Sequence, residues 1–211
     1  MPALTRDITT LRSALAEFVQ HRSPQLLTGE FTVLLAARLV WPEWSAADAI
    51  VVAALVAFNP FAEWLIHVFI LHCPANGSRR DKLAGYSHRR HHGDPRDLRF
   101  QFIHPTVILG ALPLHVLILL GFRSPSAITA VMTLVSLTLV YEWVHFLIHT
   151  DYAPRHALYR RLHRAHRLHH FRNEKYWLGV ATRLGDRVLG TNPRKEDVPV
   201  SPTAKTALVS R

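Results

Sequence analysis

Apolar residues along this chain fall in blocks, and the basic residues fall between the blocks. Three blocks are long enough to cross a bilayer as helices, which takes about 20 residues. They are residues 46–71, 102–121 and 126–148. A shorter block, 26–41, carries Glu30 and Arg38 and is the weakest of four predicted membrane segments. The Asn59-Pro60 pair inside the 46–71 block predicts a kink, because proline removes a helix hydrogen bond. Near the N-terminus Ile8, Leu11, Leu15 and Phe18 share one helical face. Residues 1–25 are thus expected to hold an amphipathic helix, lying on the membrane surface or packing on the other helices. This segment has no continuous apolar core after a basic start, so it does not read as a cleavable signal peptide. The polar, proline-containing stretch 191–211 predicts a disordered tail. The expected architecture is all-α: one integral membrane domain over residues 1–190, with about four transmembrane helices in two hairpins.

Charge orients those hairpins. Three Lys/Arg precede Gln25, seven lie in 73–101 and thirteen follow from Thr150, whereas the connectors 42–45 and 121–125 hold none and only Arg123. Positive loops stay on the cytoplasmic side. Both termini and the 73–101 loop are therefore expected there, building a cytoplasmic helical cap. The formal charge of +10 does not point to nucleic acid, because the basic residues flank apolar spans and no nucleic-acid motif accompanies them.

Cys73 is the single cysteine, which excludes an intrachain disulfide and a Cys-rich zinc site. Any metal must use imidazole or carboxylate, and imidazole is abundant. His67 and His72 close the 46–71 block, and His145 and His149 close the 126–148 block. Each pair precedes a basic segment containing His-x-x-His-His: His88, His91 and His92 in the first, His166, His169 and His170 in the second. The i, i+4 spacing of His145 and His149 puts both rings on one helix face. The i, i+5 spacing of His67 and His72 lets both converge only if the helix loosens there. With 15 histidines in 211 residues, such a motif arises by chance about 0.1 times in a chain of this size. Two, each behind a paired-histidine block, point to design. One ion takes at most about six ligands, so ten imidazoles imply two metals. His21, His104, His115 and His156 read as structural or surface residues, while His163, three before His166, is a candidate to support a ligand. Glu63 and Glu142 precede His67 and His145 by four and three residues. A carboxylate is costly in a membrane span without a partner, and each is expected to accept a ring N–H from a ligand and fix its tautomer. Asp186 is a weaker candidate for the same task.

The ordered set HVFILH, HRRHH, HFLIH and HRLHH resembles the membrane fatty acid hydroxylase/sterol desaturase superfamily. The segments HHGDPRDLRFQFIHP and LHRAHRLHHFRNEKYWLGVATRLGDRVLGT are similar to its fatty acid 2-hydroxylase branch. The resemblance covers roughly residues 59–191. It implies two non-haem iron ions held by the ten histidines named above, with zinc retained in their place in some purified members. It implies hydroxylation of a lipid, most simply an acyl chain, with O2 as co-substrate. Some members fuse a cytochrome b5 domain, for which this chain has no room. The electrons are thus expected from a separate reductase, ferredoxin or cytochrome. Arginines around the clusters, such as Arg90 and Arg164, are candidates to meet such a partner or lipid phosphate.

Three other readings stay open on the residues alone. A desaturase or a carotenoid or sterol hydroxylase of the same superfamily would carry the same ligands. A non-catalytic metal-binding or structural zinc protein would too, while a transporter would need polar residues along a pathway through the membrane, and the 102–121 and 126–140 segments hold no ionisable residue except His104 and His115.

Overall fold

A computed structural model describes residues 7–204. The described residues are helical and contain no β-strand. The capping pair Thr10 and Ser13 starts α1 (Leu11–Phe18), each side chain bonded to the other's backbone N–H. Next come α2 (Arg22–Val40) and α3 (Ala46–Ile66), the latter begun by a reciprocal Ser45–Asp48 cap. Helix α4 (Tyr86–Gly93) leads to α5 (Pro105–Phe122), α6 (Pro125–Ile148), α7 (Ala157–Phe171) and the short α8 (Leu184–Val188). Helix α3 runs through Asn59-Pro60 without a break. Gly185 of α8 packs against the Pro60 carbonyl so closely that a Cβ there would sit 2.5 Å from the oxygen.

Three helical segments are long and apolar enough to cross a membrane: Ala46–Leu71, Leu98–Phe122 and Pro125–Ile148. Helix α6 is the central one, with 44% of its apolar window buried against 11% and 6% for the other two. The outward faces of α3 and α5 carry exposed Ile50, Val56, Phe58, Leu117, Leu120 and Phe122. An apolar belt of that extent marks a surface that meets lipid. Helix α2 packs along α6 through Leu27 and Leu34, against Ile128, Val131 and Val135. It is not among the three apolar helices, since it carries Glu30 and Arg38. Arg38 is buried, bonded to Thr129 and Asp48 at 3.1 and 3.3 Å and to the Trp41 and Glu43 carbonyls. A buried guanidinium is tolerable only with partners of this kind, and these close the α2–α3 connector at the end of the bundle remote from the histidines.

The N-terminal helix sits at the histidine end. Ala14 and Phe18 are buried, Phe18 against Phe102, Trp143 and Phe146. Leu11 and Leu15, expected on the same face, point outward instead, because the packed face is centred on Ala14 and Phe18. The expectation of disorder from Thr191 is corrected for 191–204. There Val198 is buried against Trp177 and Ala165, its carbonyl accepts from Arg172 Nε at 2.7 Å, and the Arg172 carbonyl accepts from Ser201 N. Few apolar residues are needed to dock a segment whose backbone is satisfied by an arginine and a helix end. Residues 205–211 lie outside the described residues.

Candidate metal centre

The i, i+5 spacing of His67 and His72 has a direct structural counterpart. Residues His67–Leu71 form a π-turn, and His72 N donates to His67 O at 3.0 Å. Such single π-turns inside helices occur mostly at functional sites. Here the widened turn brings two rings five residues apart together, their centroids 5.1 Å apart and nearly parallel. His145 and His149 achieve the same convergence in regular α geometry, with centroids 4.9 Å apart.

All ten histidines converge, in two groups of five. His67, His72, His88, His92 and His169 each place a nitrogen within 4.8 Å of the others, and so do His91, His145, His149, His166 and His170. The sorting is crossed. Each His-x-x-His-His sends its first and third histidines to the group of the pair that precedes it and its middle histidine to the other group. The reason is helical: i and i+4 share a face, while the residue at i+3 lies beside that face when its neighbour at i+4 defines it. Helices α4 and α7 thus each serve both groups, and His92 and His170 stack at 4.1 Å across the boundary.

Hydrogen bonding tells which nitrogen faces inward. His67 Nδ1 donates to Leu178 O, His169 Nδ1 to Tyr176 O at 2.9 Å and His145 Nδ1 to Gln101 O at 3.2 Å. A carbonyl can only accept, so each Nδ1 carries the proton and each Nε2 presents a lone pair. Those Nε2 atoms sit against their neighbours at hydrogen-bond range: His67–His88 and His72–His169 at 3.2 Å, His92–His169 and His72–His88 at 3.1 Å. In the second group His166 lies 3.0 Å from both His149 and His170. Two lone pairs at this range repel unless a proton or a cation lies between them. Two nitrogens each about 2.1 Å from one ion at a right angle are about 3.0 Å apart, which matches. His145 Nε2 and both nitrogens of His91 are buried with no hydrogen-bond partner, a costly state that a metal ion would relieve at His145 Nε2 and at one nitrogen of His91. Burial also keeps the rings neutral, the form that ligates. Desolvation holds His91, His166 and His170 well below the ordinary histidine value, and His72 is pushed down to about 4 by the same cause.

The carboxylates act differently from expectation. Neither Glu63 nor Glu142 hydrogen-bonds to a histidine ring. Glu63 Oε1 accepts from Val180 N and Ala181 N, and Glu142 Oε1 accepts from Ile103 N at 2.7 Å while its Oε2 accepts from Ser23 Oγ at 2.6 Å. In both halves the pinned N–H lies two residues beyond the carbonyl that fixes a ring: Val180 beyond Leu178, Ile103 beyond Gln101. The glutamates therefore hold the loops that hold the histidines. One oxygen of Glu63 accepts both of its backbone bonds, since a carboxylate oxygen takes more than one, while Glu63 Oε2 is buried with no hydrogen-bond partner. Asp186 reinforces the first loop, accepting from Leu178 N, Gly179 N and Thr191 Oγ1. Burial raises its pKa despite those bonds. Between the two accepting carbonyls Trp177 takes φ 54°, a strained conformation held by its burial and by Trp177 N–H to Thr191 O. His163 packs near Tyr159 and makes no hydrogen bond to any ligand ring. The accepting carbonyls escaped the sequence because every residue has one.

An apolar cavity of about 410 Å³ runs from this centre between α3, α5 and α6 to α2. Its inner end is formed by His88 of one group and His145 of the other, beside Tyr141 and Gln101.

The described residues thus form an all-helical bundle with three helices apolar enough to cross a membrane and two five-histidine groups, each able to hold a metal ion, at an apolar cavity. Residues 51–191 match the fatty acid hydroxylase family model, and the chain belongs to that family. The dihydroceramide fatty acyl 2-hydroxylase FAH2 of Arabidopsis thaliana is 27% identical over 148 residues, 67% of this chain and 62% of that relative. A solved structure described as full-length Scs7p, with only its hydroxylase domain visible, superposes with a TM-score of 0.65 at 19% identity. It covers 92% of this chain and 70% of that one, and so shows the same fold.

Proposed function

We propose that this protein is a membrane diiron oxygenase that hydroxylates a lipid, with an acyl chain as substrate. The observation that carries the reading is the junction of cavity and metal centre: one ring from each five-histidine group forms the end of a single apolar cavity. A chain lying in that cavity brings a C–H bond to both groups at once. Five imidazoles per ion leave room for a further ligand, since an ion takes at most about six. When bound, two redox-active ions supply the activation of O2, which zinc cannot do. The reaction inserts one oxygen atom into C–H and releases the other as water, consuming two electrons and two protons from a separate donor.

The protein's own residues perform the rest. The ten histidines hold the ions. The carbonyls of Leu178, Tyr176 and Gln101 fix three ring tautomers, and Glu63, Glu142 and Asp186 keep those carbonyls in place. Apolar walls from α3, α5 and α6 exclude water, so that the oxidant meets substrate. Helix α2, about 28 Å long at about 1.5 Å per residue, serves as the fourth span because its Arg38 and Glu30 are internally paired. The positive-inside pattern then sets the metal centre and both termini on the cytoplasmic side.

Anaerobic reconstitution with ferrous iron, followed by O2, a reductant and lipid, tests the proposal. Hydroxylation predicts O2 uptake coupled to an oxygenated lipid. A dehydrogenated product would transfer the reading to a desaturase, and metal binding without product would reduce the protein to a metal-holding one.

A further inference from the structure

The end of the cavity remote from the histidines is polar. There Glu30 of α2 and His115 of α5 pair at 2.6 Å, with side chains 13% and 16% exposed. Both residues line the 410 Å³ cavity and also a second one of about 450 Å³. The second is a groove open on the outer face of the bundle, where Val33 is 70% exposed, and it extends away from the metal centre along Val33 and Leu34 of α2 and Leu112 and Leu119 of α5. Glu30 and His115 thus stand where the mainly apolar cavity meets the outer apolar groove. Neither contacts a metal-site histidine, and nothing in the hydroxylation chemistry uses them. An ionisable pair at membrane depth is costly and calls for a reason.

We propose that the Glu30–His115 pair is a polar bar that sets the longest acyl chain the cavity accepts. The proposal rests on the lipid hydroxylase reading and adds the determinant of chain length to it. On α5, His115 lies eleven residues beyond His104, and on α6, Leu134 lies eleven before His145, with all four residues lining the cavity. At about 1.5 Å per residue the cavity lining spans about 16 Å along either helix, and on α5 that span ends at the bar. An extended chain advances about 1.3 Å per carbon, from a C–C bond of about 1.5 Å. About 12 carbons beyond the oxidised one therefore fill the first cavity. A longer chain must press methylenes against the ion pair or force the pair apart to enter the second cavity. Each methylene denied an apolar site costs a factor of about four in binding.

The test compares acyl lipids of graded length in competition, read both as lipid retained by the purified protein in native mass spectrometry and as product. E30A/H115A opens the cavity into the outer groove and is expected to move both distributions at least about two carbons longer, the long-to-short ratio rising about fourfold per methylene. Glu30→Gln keeps the hydrogen bond and is expected to leave the profile unchanged. Wild-type protein with acyl chains bearing a terminal diazirine supplies a readout that needs no variant. Chains reaching about 12 carbons beyond the oxidised one should label the peptides bearing Glu30 or His115. Unchanged length profiles in a folded E30A/H115A would overturn the proposal. So would wild-type labelling at Val33 or Leu119 by long chains that bind as well as short ones. In that event the pair only clips α2 to α5. Absence of product with every chain would fault the hydroxylase reading instead, and the retained-lipid distribution would still decide the bar.

Discussion

Removing the Glu142 carboxylate should weaken one metal position and spare the other. Glu142 lies outside both histidine groups, yet its Oε1 holds Ile103 N at 2.7 Å and its Oε2 holds Ser23 Oγ at 2.6 Å. Glu142→Leu leaves both donors without partners. A buried unpartnered donor costs about 1–3 kcal/mol, so the two together cost about 2–6 kcal/mol, with the half-buried Ile103 at the low end. Relief from burying a carboxylate offsets part of this, and the change in global stability is correspondingly small. The larger effect falls on the Gln101 carbonyl, two residues from Ile103, which orients His145. Loss of a ligand's supporting hydrogen bond typically costs 10- to 100-fold in metal affinity. A chelator titration, with metal per chain counted by inductively coupled plasma mass spectrometry, should show two release steps. In E142L the ion held by His145 and its four partners should leave at about 10- to 100-fold less chelator. Glu142→Gln should behave as wild type, since its oxygen can still serve Ile103 N and its amide can donate to Ser23 Oγ. Equal release of both ions in E142L, or an E142Q as impaired as E142L, would refute the reasoning.

Other predictions address neighbouring residues. Glu63→Leu should mirror E142L on the opposite ion, the one held by His67, as read in the same titration. His91→Ala and His92→Ala, although adjacent, should each lose a different ion, leaving about one per chain in both, and product formation should fall below detection in both. Asp186→Asn keeps one acceptor oxygen but turns an amide toward Leu178 N or Gly179 N, so ion release should be accelerated without loss of helical circular dichroism. Arg38→Met removes the cation beside Asp48 and the bonds to Thr129 and the connector carbonyls, and should lower the stability of the bundle, measured by denaturant unfolding in detergent, with metal content unchanged. His21→Ala should retain product, because His21 stacks on Phe102 and reaches no metal-site ring.

Much of the centre was legible in the sequence because histidine is chemically specific and its spacing encodes helix geometry. The ten members follow from two pairs and two His-x-x-His-His motifs, and the i, i+5 spacing of His67 and His72 already demanded a loosened turn. Their sorting was not legible. That adjacent histidines such as His169 and His170 serve different groups depends on α7 lying between the groups, which is a tertiary fact. The roles of Glu63 and Glu142 were half legible. A carboxylate in an apolar span announces a partner, but backbone N–H groups carry no side-chain signature, so the partner was misjudged as a ring. The internal pairing of Arg38 and Glu30, which lets a polar helix pack in the bundle, likewise required the neighbours Asp48, Thr129 and His115 from distant segments. The docking of 191–204 escaped notice because it rests on main-chain bonds to Arg172 rather than on apolar periodicity.

X-ray absorption at the metal edge of the purified protein, with metal counted on the same sample, tests the central claim most directly. The account predicts two ions per chain, each in a shell of nitrogen with the multiple-scattering signature of several imidazoles. One ion or none per chain, or a shell dominated by oxygen or sulfur, would contradict it.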